Sequence, residues 1–449
     1  MDTTSTVCHV VAVPYPGRGH VNPMINLCKL LASKKEDIRI TVVVTEEWLG
    51  FIGSNPKPHN IGFSTIPNVL PSELVRAANY PYFYEAVMTK MEAPFEQLLD
   101  QIQPPPTAII ADTELLWAIP AARRRNIPVA SLWTASASVF STKCENVKMN
   151  LFEDGDLKLD QTSELGELED PRVLKLALEC ISMVPKGNYL LFSSVYELES
   201  QVIDSLQTEF PFPVYPIGPA IPYFELEYDS NVTSVSTSGN GLDYLKWLDS
   251  QPKASVLYIS LGSFLSVSSA QMDEIAAGLR KSGIRFLWVA RGESSRLNER
   301  SGDMGLVMPW CEQLKVLCHF SVGGFWTHCG WNSTLEAVFS GIPMLTFPLV
   351  SDQFPNSRRI VEDWKMGRRV KREVQGDQSL MTREEIAEIV QRFMDLESSD
   401  GKEMRKRVKE PRDLCHQAIA KGGSSDRNLD GFISDITKAA AIKRTGVPI

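Results

Sequence analysis

Residues 310–353 read WCEQLKVLCHFSVGGFWTHCGWNSTLEAVFSGIPMLTFPLVSDQ. The run SVGGFWTH (321–328) has the apolar continuity of a buried strand, 331–340 a helical pattern, and PMLTFP (343–348) a second strand. His328-Cys329-Gly330-Trp331-Asn332-Ser333 therefore lies where a strand ends and a helix begins. Gly330 allows close backbone approach, and amides at a helix N-terminus, with the dipole behind them, bind phosphate. His328, Asn332 and Ser333 add side-chain donors, and Glu336 on the next turn can accept two sugar hydroxyls. Trp310 and Trp331 offer flat faces for a base or a sugar. Asp352 and Gln353 bring a carboxylate and an amide to the same sheet edge. The residues point to a site for a base, a ribose, a phosphate and a polyol.

The same alternation runs outward through the chain. Strands are expected at 8–13, 38–45, 63–67, 107–112, 127–133, 188–194 and 212–219, with helices at about 20–33, 82–102 and 134–149. Between 150 and 186 the pattern weakens, and 153–170 reads as a solvated acidic segment. The stretch 224–241, FELEYDSNVTSVSTSGNG, reads as an interdomain linker. Alternation resumes with strands at 255–263 and 286–290, a helix at 269–281, and helices at 382–396 and 402–440. Such repetition implies two parallel sheets with ligand-bearing loops at the carboxyl ends of their strands. The division expected is an N-terminal domain over 1–223, the linker, a C-terminal domain over 242–430, and a last helix at 431–449 packing back on the first domain.

Composition narrows the function. The 449 residues carry 46 Lys and Arg against 55 Asp and Glu, a net charge of −9 that argues against a nucleic-acid partner. No apolar stretch approaches about 18 residues, so no membrane span is expected. The first apolar run stops at Pro14-Tyr15-Pro16-Gly17 and reads as a strand rather than an export signal. A cytoplasmic protein with reduced thiols is expected from the eight scattered cysteines. Cys318-His319 and His328-Cys329 lack metal-ligand spacing, and no metal or cofactor is expected.

The 310–353 segment closely resembles the signature box of the plant family-1 UDP-glycosyltransferases, with the first Trp, the Gln, HCGWNS, the Glu, Gly-x-Pro and the final Asp-Gln all in place. Cys311 and Glu312 stand where the box usually has Ala-Pro, a departure of little weight because these side chains are not expected to contact the donor directly. The resemblance implies two Rossmann-like parallel-sheet α/β domains facing across a cleft, the GT-B type. It places Trp310 on uracil with Cys311 and Gln313 nearby, and Glu336 on the ribose hydroxyls. It places His328, Gly330, Asn332 and Ser333 on the diphosphate, and Trp331, Asp352 and Gln353 on the sugar. The terminal Gln and Trp331 resemble glucose users. Gly262 and Ser263 match the family's Ser-Phe-Gly-Ser turn near the phosphates.

The resemblance extends to the first half. PYPGRGHVNP (14–23) is similar to the family's first loop, with Gly19 on the donor side and His20 at the position of the catalytic base. Asp112, closing TAIIAD, matches the partner acid, and Thr134, in WTAS, a residue near the donor phosphate and sugar. Read physically, His20 precedes a helix whose dipole favours neutral imidazole, which can accept a proton. The expected activity is inverting transfer of glucose from UDP-glucose to a small lipophilic acceptor, by a monomer. Tyr82, Phe83, Tyr84, Met88 and Phe140 are available to line an apolar acceptor pocket, although Met88 and Met91 read equally as core. YPGRGHVNPM and TEEWLGFIG suggest one plant subgroup without naming the acceptor.

Two rivals are weighed. An inactive nucleotide-sugar binder is favoured only by the 150–186 segment, where no Pro-Gly element precedes NYLLF. An NAD-dependent oxidoreductase would want G-x-G-x-x-G, and the chain offers Gly17-Arg18-Gly19-His20 without an acid about 20 residues on. His9, His319 and His416 have no constellation around them and read as structural.

Overall fold

The structure is a computed structural model that describes residues 8–53, 57–148, 152–153, 156–157, 170–229, 243–262, 267–301, 304–370 and 380–445. Fifteen strands are described: β1 (Cys8–Val13), β2 (Ile38–Thr45), β3 (Ile61–Ile66), β4 (Ala108–Asp112), β5 (Val129–Trp133), β6 (Phe152–Glu153), β7 (Asp156–Leu157), β8 (Tyr189–Phe192), β9 (Val214–Pro216), β10 (Val256–Ser260), β11 (Arg285–Val289), β12 (Gly305–Met308), β13 (Val322–Thr327), β14 (Met344–Thr346) and β15 (Gly367–Arg369). Two all-parallel sheets hold thirteen of them, in the orders β3-β2-β1-β4-β5-β8-β9 and β12-β11-β10-β13-β14-β15. Strands β1, β4, β5 and β13 are buried along their whole length. That burial on both faces is why they read as unbroken apolar runs rather than alternating ones.

Strand order reverses between β1 and β4 in the first sheet and between β10 and β13 in the second. At such a reversal the loops leaving the two neighbouring strands diverge and open a crevice at their carboxyl ends. His20 and Asp112 lie at the ends of β1 and β4, and Gly262 and His328 at those of β10 and β13.

The chain divides into two compact units, Met1–Ala220 with Gln417–Ile449, and Ile221–His416. In the first, Val11, Val13, Ile109 and Ala111 of the sheet pack with Phe83, Tyr84, Met88, Phe95 and Trp117. In the second, Leu257, Ile259, Trp288 and Trp326 pack with Ile275, Leu279, Ile386, Val390 and Phe393. The C-terminal segment rejoins the first unit from Gln417 on, ahead of the expected 431. Its helix Ser424–Thr445 is held there by Lys34 to Asp426 and Asp430, by Tyr215 to Asp435 at 2.7 Å, and by Phe432 against Tyr189 and Tyr215.

Several helix boundaries depart from the periodicity, each for a backbone reason. The single helix expected over 82–102 is two, Tyr80–Lys90 and Glu92–Gln101. Pro94 has no N–H to give the Lys90 carbonyl, so the ladder ends there. The helix expected over 402–440 is three, Ser399–Arg407, Lys409–Ile419 and Ser424–Thr445, with Pro411 and Gly422-Gly423 near the breaks. The weak region contains a regular helix, Pro171–Met183, capped by Asp170 and burying Val173, Leu174, Ala177, Leu178, Cys180 and Ile181. The acidic run beside it masks that stripe in the sequence. Residues 158–169 of that run lie outside the described residues. The expected linker starts inside a helix, Tyr223–Asp229, and 230–241 likewise lie outside them. Among the described residues no helix is long and apolar enough to cross a membrane, and no cluster of ligating side chains could hold a metal.

Candidate active site

In the first unit the loop after β1 turns at Gly17, whose N–H donates to the Tyr15 carbonyl at 2.8 Å, and enters the helix Arg18–Lys34. His20 is the third residue of that helix, so Pro23 falls in the second turn rather than the first. The His20 Nδ1 lies 2.9 Å from Asp112 Oδ2 and 3.2 Å from the Thr134 hydroxyl. Those two partners come from the ends of the adjacent strands β4 and β5. With the proton on Nδ1 directed at Asp112, the lone pair of Nε2 is left to accept another. Asp112 is itself oriented by the Glu114 N–H, which donates to Oδ1 at 3.0 Å. The His20 side chain keeps 25% of its surface exposed whereas Asp112 is buried. Burial alone would lower the His20 pKa. The Asp112 carboxylate, by its charge and hydrogen bond, outweighs that and raises it above the ordinary value. That direction is opposite to the one expected from the helix dipole alone, because Asp112 lies within hydrogen-bond reach of the ring.

Thr134 stands beside His20, a placement the resemblance to a donor-side residue did not anticipate. Arg76 is a second unforeseen participant. It is buried, pairs with Glu73 at 3.1 Å, and donates to the Pro16 carbonyl at 3.2 Å, bracing the loop that carries Gly19 and His20. Nothing in the sequence links it to a loop about 60 positions upstream. Of the residues proposed for an apolar pocket, Phe83, Tyr84 and Met88 belong to the core, Phe140 to a second buried cluster, and Tyr82 is exposed. The four buried side chains hold the sheet in place.

In the second unit, Gly262 follows β10 and His328 follows β13. Gly262 has φ +92°, and a Cβ there would meet the His328 ring at 2.9 Å. Ser263 lies outside the described residues. Burial pushes the His328 pKa down to about 4, so it presents a neutral ring. The chain turns at Cys329, a non-glycine residue at φ +66°, held by the Thr327 hydroxyl accepting from its N–H at 3.1 Å. Gly330 then caps the helix Trp331–Ser340. Having no side chain, Gly330 leaves the first amides of that helix uncovered for an anion.

Gln313 and Glu336 meet directly. Gln313 Nε2 donates to Glu336 Oε2 at 2.5 Å and to the Ser333 hydroxyl at 2.9 Å. Burial raises the Glu336 pKa to about 7 against the opposing pull of Gln313. Trp310, three residues before Gln313, is 54% exposed. Trp331 differs from the expectation: it is 3% exposed and packs against Trp364, so its ring offers no open face. What it contributes at the helix start is its backbone. Cys311 is buried with its sulfur toward Tyr258, 3.4 Å from the hydroxyl.

The loop after β14 brings in Asp352 and Gln353. Gln353 Oε1 accepts from the Leu349 and Val350 amides at 2.8 and 3.1 Å, which leaves its NH2 end for any ligand. Asn356, one turn on, donates to Asp352 Oδ2 and to the Cys329 carbonyl, both at 3.0 Å. It ties the two loops together and was missed; its i, i+4 spacing from Asp352 is the sequence signal that could have found it. His9, His319 and His416 are structural: His9 bonds Thr41, His319 bonds Ser321 and Asp249, and His416 bonds the Phe339 carbonyl.

The chain is similar to known proteins in sequence and in fold. Residues 194–405 match the family described as UDP-glucoronosyl and UDP-glucosyl transferase. The chain is 50% identical over 446 residues to UDP-glycosyltransferase 87A1 of Arabidopsis thaliana, covering 95% of this chain and all of that one. It resembles the structure of Phytolacca americana UGT2 complexed with UDP-2fluoro-glucose and pterostilbene, with TM-score 0.76, 28% identity, and 96% and 99% of the two chains covered. It also resembles Os79 from O. sativa in complex with UDP, with TM-score 0.80, 25% identity, and 95% and 100% covered. Two parallel-sheet units of this kind are the GT-B architecture, and the chain belongs to the plant family-1 UDP-glycosyltransferases, enzymes that transfer a sugar from a UDP-sugar donor.

Proposed function

We propose that this enzyme transfers glucose from UDP-glucose, with inversion, to a hydroxyl or carboxyl group of a small lipophilic plant metabolite. The observation that carries the reading is His20, its Nδ1 engaged by Asp112 at 2.9 Å, which leaves Nε2 as the base. His20 takes the acceptor proton through Nε2. The acceptor oxygen attacks C1 of glucose from the face opposite UDP, so the α-linked donor gives a β-glucoside. Asp112 holds the tautomer and stabilises the imidazolium that forms. The bond to the diphosphate breaks as the new bond forms. His328, Asn332, Ser333 and the amides capped by Gly330 stabilise the leaving charge, fixed dipoles doing this without a metal ion.

Trp310 offers its exposed face to uracil, and Gln313 with Glu336 receives the ribose. Asp352 and the NH2 end of Gln353 receive the glucose hydroxyls. Support for glucose comes from the box ending in Gln353 and from UGT2, complexed with UDP-2fluoro-glucose. Support for an aromatic or lipophilic acceptor comes from pterostilbene in that same complex.

The test is UDP release from UDP-glucose against a panel of phenols, terpenols and hormones, beside His20→Ala. Release requiring both an acceptor and His20 supports the reading. The variant is expected to lose about 10²–10⁴-fold in turnover while still binding UDP. Full activity of His20→Ala would remove His20 from the role of base.

A further inference from the structure

Behind the Gln313–Glu336 pair stands a directional chain of hydrogen bonds. Tyr258, on β10, is buried, and its hydroxyl donates to Gln313 Oε1 at 3.0 Å. An amide carbonyl only accepts, so the Tyr258 proton is committed there. The Tyr258 oxygen must then accept from the buried Cys311 thiol 3.4 Å away. The order is Cys311 S–H to Tyr258, Tyr258 O–H to Gln313 C=O, and Gln313 NH2 to Ser333 and Glu336. A flipped Gln313 amide would set its carbonyl against the Glu336 carboxylate and its NH2 against the Tyr258 hydroxyl. The Tyr258 donor therefore fixes which end faces Glu336.

We propose that Tyr258, backed by Cys311, is a positioning residue for donor binding: it locks the Gln313 amide so that Glu336 is held aimed as an acceptor for the ribose hydroxyls. The inference rests on the reading of Glu336 as the ribose group. Without the Tyr258 hydroxyl, the half-buried Gln313 Oε1 has no donor from that side, and the amide loses one of the contacts that select its orientation. In the sequence, Tyr258 reads only as one more apolar position of a buried strand. Cys311 reads only as a departure from the usual box.

The experiment is calorimetric binding of UDP and of 2′-deoxy-UDP to the wild-type enzyme, Tyr258→Phe and Cys311→Ala. The wild type is expected to prefer UDP by about tenfold, the scale of one hydrogen bond to a charged group. Tyr258→Phe, which removes one oxygen and keeps the ring, is expected to bring that preference to within about threefold of unity. The kinetic loss is expected in the donor KM more than in kcat. Should Tyr258→Phe fail to fold, Cys311→Ala carries the same test, with a partial narrowing expected. A wild-type enzyme that does not distinguish the two nucleotides overturns the ribose reading of Glu336, and the inference with it. A wild-type preference that survives intact in Tyr258→Phe, or in Cys311→Ala where only that variant folds, overturns the positioning role alone.

Discussion

Gly262 and His328 lie so close that a Cβ added to the glycine would sit 2.9 Å from the imidazole ring. They follow β10 and β13, the neighbouring strands at which the second sheet reverses its order. Gly262 also has φ +92°, a conformation that side chains resist. Gly262→Ala should therefore displace His328 and strain the turn, at a stability cost on the order of 1–3 kcal/mol. UDP affinity should fall at least about tenfold, as for the loss of one charge-assisted contact. Isothermal calorimetry with UDP and a thermal melt check both, and an unchanged UDP affinity would show that the close approach is dispensable.

Asp112 raises the pKa of His20, so the base is freed of its proton only as pH rises through a value above 6.5. The acid limb of the kcat/KM profile should lie above that value. Asp112→Asn removes the charge and leaves burial, which lowers the pKa. Its acid limb should move to lower pH while the plateau drops, about 10²–10⁴-fold in the range of general base contributions. A limb that stays in place in Asp112→Asn would mean that another group titrates.

Glu336 has its pKa pushed up to about 7 by burial. An acid raised in this way is partly protonated near neutrality, and ribose hydroxyls donate best to its ionised form. UDP binding at pH 6.5 should release protons, and affinity should rise with pH through about 7. Titration in buffers of different ionisation enthalpy measures the release. Glu336→Gln should reduce it, leaving only the release from the terminal phosphate of UDP. The same shift predicts that the unliganded protein loses stability as pH rises from about 4.5 to 7, the window between the ordinary and raised values.

Asn356 bonds both the Cys329 carbonyl and Asp352 from a buried position. Asn356→Ala leaves the carbonyl without that donor, a destabilisation of about 1–3 kcal/mol. It should also raise the donor KM by loosening the loops around Cys329 and Asp352. Steady-state kinetics on UDP-glucose and chemical denaturation separate the two effects. A stability loss with unchanged KM would make Asn356 purely structural.

Much of this protein is legible one residue at a time. Strands such as 8–13 and 322–327 announce themselves because both faces are buried, leaving a nearly continuous apolar run broken only by the buried His9 and Thr327. The box at 310–353 is legible because anion binding at a helix start, and its polar neighbours, are local properties of a short segment. The helix Pro171–Met183 was obscured by its acidic neighbours, although its buried stripe has regular spacing.

The sequence by itself determined the alternation of strand and helix and the family, and it singled out His20, His328 and Glu336 as candidates for its chemistry. Only the tertiary structure decided their states and supports. It set Asp112 and Thr134 against one nitrogen of His20, Arg76 against the Pro16 carbonyl, and Tyr258 against Gln313. It also turned the Trp331 ring inward while leaving Trp310 open. The reason is physical: propensity and local motifs act over a few residues. A protonation state, an amide orientation or a ring's exposure depends on which distant strand ends the sheet order brings together.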